Sequence, residues 1–117
     1  MKSAFLICTV LLAGAALPLR AQAPDGQALY LENCRSCHGL AGRPTDRARR
    51  EFKQRIPTFA DPAFFAHRSQ DSIVAVLTHG MGDGRDMRSF KNMLTHDEMV
   101  AVAQYVRTFA TPAPASP

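Results

Sequence analysis

Residues 34–38 read Cys34-Arg35-Ser36-Cys37-His38: two thiols three positions apart, with an imidazole directly behind the second. This pattern is chemically specific, and two of its readings meet obstacles elsewhere in the chain. A dithiol redox centre of the thioredoxin kind wants a βαβ pattern around it, and none is visible. A closed zinc site wants a second pair of Cys or His at ligand spacing. The remaining histidines, His67, His79 and His96, are scattered and form no such pair.

Working outward, the flanking segments read as helices and loops. Pro24-Asp25-Gly26 opens a helical pattern through Asn33, with Gly26, Tyr30 and Asn33 or Cys34 on one face. Gly39 to Pro44 carries two glycines and a proline and reads as a loop. Thr45 to Arg55 has room for one or two helical turns ended by Pro57, and Pro57 to Pro62 is irregular. Ser69 caps a helix containing Ile73, Val74, Val76 and Leu77, with Gly80 just beyond its end. Gly80 to Asn92 is a loop holding three glycines and two methionines. The last helix is the best specified. Thr95 with Glu98 makes a capping box, Leu94 with Met99 a hydrophobic staple, and Met99, Val102, Val106 and Phe109 an apolar stripe. No segment shows strand alternation. The expected class is all-α, with three to five short helices.

The 117 residues suffice for one domain and carry a formal charge of +4. The first 23 read as an address rather than structure. Lys2 is the positive end, Ala4 to Leu17 an apolar run too short to span a bilayer, and Ala21-Gln22-Ala23 a cleavage site. Removal of residues 1–23 is expected to leave a domain over 24–110 and a Pro-rich tail over 111–117. It takes away Cys8, so the three cysteines become two, Cys34 and Cys37, and it lowers the charge to +2. The mature chain then has no membrane span, and its balance of charge argues against nucleic-acid binding. The compartment this implies is the bacterial periplasm. A mature domain under 100 residues buries a modest fraction of its surface, so a cofactor that adds to its core is expected.

With zinc and dithiol chemistry set aside, Cys34, Cys37 and His38 read as the attachment signature of a c-type haem. The thiols add to the two vinyl groups on one edge of the porphyrin, and His38 projects to the iron. Nε2 is the expected ligating nitrogen, with Nδ1–H donated to a backbone carbonyl near Pro57. Tyr30, Phe59, Phe64, Phe65, Phe90, Leu94, Tyr105, Val106 and Phe109 are candidates for contact with the porphyrin or between helices. Gly26 is read as the point where the first and last helices approach closely, opposite Tyr105.

Over residues 25–110 the chain resembles the small class I, mono-haem cytochromes c. The resemblance rests on Gly26 and Tyr30, Cys34-Cys37-His38-Gly39, Gly42, Gly80, Met87 with Phe90, Leu94-Thr95, and Tyr105-Val106-Arg107. It departs from that pattern at Arg88, where the family often has proline, and in the basic segment Arg43 to Arg55. The resemblance implies a cytochrome c fold around one covalently bound haem c, with a methionine from the loop before the last helix as sixth ligand. Met87 stands at the family spacing, and Met81 is the runner-up. Met93 reads as packing or solvent-facing, and Met99 as core of the last helix. His/Met ligation leaves no open position on the iron, so the implied function is carriage of single electrons between redox partner proteins. The chain would act as a free shuttle or as the cytochrome subunit of a periplasmic oxidoreductase, not as an enzyme itself. The alternative is a haem enzyme or gas-binding sensor with an open or labile distal site. The cations of Arg43 to Arg55, opposed locally by Asp46 and Glu51 alone, read either as a solvated face or as a docking surface for an acidic partner.

Overall fold

Five α-helices and two 3₁₀ turns order the chain in the computed structural model, which describes residues 21–53 and 55–110. They are α1 (Gly26–Asn33), α2 (Arg35–His38), α3 (Asp46–Phe52), α4 (Gln70–His79) and α5 (His96–Thr108), with 3₁₀ turns at Pro62–Phe65 and Gly82–Gly84. Among the described residues there is no strand, and the one sheet-like pairing is an isolated antiparallel bridge between Met81 and Met87. No described helix is long and apolar enough to cross a membrane. The leader expected over 1–23, apart from residues 21–23, and the tail over 111–117 lie outside the described residues.

Local chemistry sets where the helices begin. Asp25, Thr45, Ser69 and Thr95 each accept a backbone N–H from three residues on, at 3.1–3.2 Å. Such a cap is worth about 1 kcal/mol. At α5 the box is complete, since Glu98 also accepts the Thr95 N–H at 2.8 Å. Leu94 and Met99, the two halves of the staple, are both buried. The basic stretch after Thr45 does form a short helix, with Ala48 as its one buried residue. Its cations face solvent, so amphipathicity adds little there and the cap carries more of the specification.

The frame is a crossing of α1 over α5. A Cβ on Gly26 would overlap the carbonyl oxygen of Ala101 and come within 3.2 Å of the Tyr105 Cβ, so the helices meet where α1 has no side chain. Tyr30, Tyr105 and Phe109 fill the angle between them, with ring centroids 5.1–5.4 Å apart. Three of the aromatic candidates are therefore helix-to-helix contacts. The stripe of α5 is buried at Met99, Val102 and Val106, joined by Ala103, which the spacing did not single out; Phe109 is half-buried at its end. On the opposite side α4 packs against α5 through Val74 and Leu77, and Thr78 Oγ1 lies 3.7 Å from the Met99 sulfur.

Candidate haem site

The C-x-x-C-H stretch is held from both flanks. Cys34 ends α1, its N–H donating to Tyr30 at 2.8 Å, and a backbone bend there starts α2. The Cys34 carbonyl then accepts the N–H of Cys37 at 3.2 Å and of His38 at 2.9 Å, so one tight turn gathers both thiols and the imidazole. From upstream, the Tyr30 hydroxyl, fully buried, donates to the Gly39 carbonyl at 2.7 Å. Burial raises the Tyr30 pKa far above its ordinary value, so the phenol remains a hydrogen-bond donor. From downstream, Thr45 donates its N–H to the Cys37 carbonyl at 3.1 Å and its hydroxyl to Ser36 at 3.2 Å, which pins α3 to the motif.

Neither thiol is in a disulfide. Burial, with a smaller contribution from the neighbouring Cys37, pushes the Cys34 thiol up to about 11. His38 is the centre of an apolar wall. Phe59 stacks on it at 4.6 Å between centroids and 19° between planes, and Phe64 and Phe65 continue the wall behind Phe59. The Phe59 N–H is tied to the Gly42 carbonyl at 2.7 Å, which fixes the covering segment against the loop after the motif.

Burial lowers the His38 pKa to about 4, so the ring is neutral at pH 7 with a free lone pair. Its Nδ1 is buried and has no hydrogen-bond partner. The expected bond from Nδ1–H to a carbonyl near Pro57 is therefore not made. An uncharged, desolvated imidazole beside two free thiols on one turn fits a haem iron whose porphyrin is held by two thioether links.

The other candidates separate by position. Met99 is core, and Met93 is exposed with its sulfur 3.9 Å from an Arg88 nitrogen. Met81 and Met87 face each other across the bridge, but Met87 is half-buried against the core cluster while Met81 is 53% exposed. His67, His79 and His96 are exposed, and none joins His38.

Residues 21–106 match the family model described as "Cytochrome C oxidase, cbb3-type, subunit III". The chain is 32% identical over 82 residues to cytochrome c6 of Microcystis aeruginosa, covering 70% of this chain and 90% of the relative. Among solved structures it is similar to the KustC0563 c-type cytochrome, with a TM-score of 0.65 and 35% identity over 73% of this chain and 96% of that one. A tyrosine-to-phenylalanine mutant of the same protein matches at TM-score 0.64 and 34% identity, over 73% of this chain and 98% of that one. This chain belongs to the c-type cytochromes. As a c-type cytochrome it carries covalently bound haem c and works in electron transfer. When bound, the haem supplies a one-electron iron couple. The residues that would hold it in this cytochrome are Cys34, Cys37 and His38, on the turn just described.

Two contacts of the cytochrome could not be read from spacing. Phe59 over His38 joins residues 21 positions apart, and neither carries a local signal of the other. Spacing shows for Arg55 only the local acids Asp46 and Glu51. Arg55 instead pairs with Asp86 in the methionine loop at 2.8 Å.

Proposed function

We propose that this is a periplasmic mono-haem carrier in which His38 and Met87 are the axial ligands and Cys34 and Cys37 the covalent attachments. It moves one electron at a time between protein partners, as a free shuttle or as the cytochrome subunit of an oxidoreductase. The reading has residues 1–23 removed on export, leaving 24–110 as the working domain with a tail to 117. The observation that carries the ligand assignment is the difference between the two loop methionines: Met87 alone packs on the core. A thioether held in a packed position needs little rearrangement when the iron changes oxidation state, which suits fast outer-sphere transfer.

Optical spectroscopy tests this directly. The reduced wild-type holoprotein should take up no CO, and the oxidised form should show the weak far-red band of methionine–iron(III). Met81→Ala should leave that band in place. Tight, rapid CO binding by wild type would instead establish an open distal site, and loss of the band in Met81→Ala would move the ligand to that residue.

The exposed cations of the Arg43 to Arg55 segment, which includes α3, are the docking surface in this reading, for an acidic redox partner. Arg49 is engaged by Asp46 and by the Pro44 carbonyl, and Arg55 by Asp86, while Arg47 makes a loose 3.9 Å contact with Glu51. Arg43, Arg50 and Lys53 are exposed. Thr45 ties this helix to Ser36 and Cys37, so the charge sits beside the attachment motif. Reversing Arg43 and Arg50 to Glu should slow electron transfer with an acidic partner at low ionic strength, by about tenfold or more, and the difference should shrink in salt. Equal low-salt rates would make this segment an ordinary solvated face.

A further inference from the structure

The Arg55–Asp86 pair joins two parts of the chain that no other described ion pair connects. Arg55 stands four residues before Phe59, the ring lying on His38, and its Nε is anchored 3.3 Å from the Phe52 carbonyl. Asp86 immediately precedes Met87. Its N–H donates to the Met81 carbonyl at 3.3 Å, within the turn closed by the Met81–Met87 bridge. The carboxylate lies across Gly82, where a Cβ would overlap Asp86 Oδ2; Gly82 also takes φ 60°, which suits glycine. The pair is 2.8 Å long, with side-chain exposures of 62% for Arg55 and 34% for Asp86.

We propose that Arg55 and Asp86 are positioning residues: a strap between the segment covering His38 and the hairpin that presents Met87, which keeps the thioether seated. The inference rests on Met87 being the sixth ligand. Removing either charge frees the hairpin to lift, so an external ligand competes better with Met87 although neither residue touches the iron. Gly82 is part of the device, since any side chain there displaces the carboxylate from its path to Arg55.

The test is imidazole titration of the oxidised holoprotein, followed through loss of the far-red band. R55Q and D86N should each tighten apparent imidazole binding by about 2–5-fold, the range expected for a partly exposed ion pair. The double variant should go no further than either single one. The swapped pair R55E/D86R should return toward wild type, and R47Q, which removes a pair that does not reach the loop, should match wild type. In wild type, high salt should reproduce part of the effect. Unchanged affinity in both single variants, additive effects in the double variant, or an equal shift in R47Q would each overturn the strap. Failure of the Met87 assignment shows elsewhere, as a wild-type spectrum lacking the band or a band lost in Met81→Ala.

Discussion

Met87→Ala should abolish the far-red band of the oxidised protein and open the reduced protein to CO. It removes the thioether that packs on the buried core cluster. Nearby replacements are poor. Met81 is half-exposed, Met93 points to Arg88, and Met99 is locked in the staple of α5. The exposed histidines sit on other elements, His79 at the end of α4 and His96 at the start of α5. Loss of the soft ligand opposite histidine also lowers the reduction potential. The expected drop is on the order of 0.1–0.2 V, a fraction of the roughly 0.8 V that axial ligation spans across haem proteins. A retained band with an unshifted potential would remove Met87 from the site.

Gly26→Leu should cost the fold more than a surface substitution, because the obstruction is backbone. The Ala101 carbonyl oxygen, which a Cβ would overlap, cannot rotate away, and the Tyr105 Cβ closes the other side at 3.2 Å. Helix α1 must withdraw from α5, loosening Tyr30, Tyr105 and Phe109 together. Overpacking of this kind costs about 1–3 kcal/mol. At about 4–8 °C per kcal/mol for a domain of this size, the melting midpoint should fall on the order of 5–20 °C. The far-red band should persist below the transition, since Gly26 is remote in sequence from the methionine loop. An unchanged midpoint would contradict the close crossing.

Local signals carried much of the architecture. The capping residues Asp25, Thr45, Ser69 and Thr95 mark the starts of α1, α3, α4 and α5, because a cap is satisfied within three residues of chain. The period of α5 predicts its buried face at Met99, Val102 and Val106, and the motif marks its own turn. The aromatic residues were legible only as a set. Residue type says that a ring will be buried but not which ring it meets, so Tyr30 and Phe109 proved to be partners of each other and Phe59 of His38.

The sequence by itself pointed to a covalently bound haem and to the all-α class, since two thiols and an imidazole within five residues, and caps within one turn, are relations the chain encodes at short range. Only the tertiary structure decided which loop methionine packs on the core, what lies against His38, and that Arg55 answers to Asp86 rather than to its own segment. The last two of these span 21 and 31 positions. At such separations no residue constrains its partner until packing brings the two together.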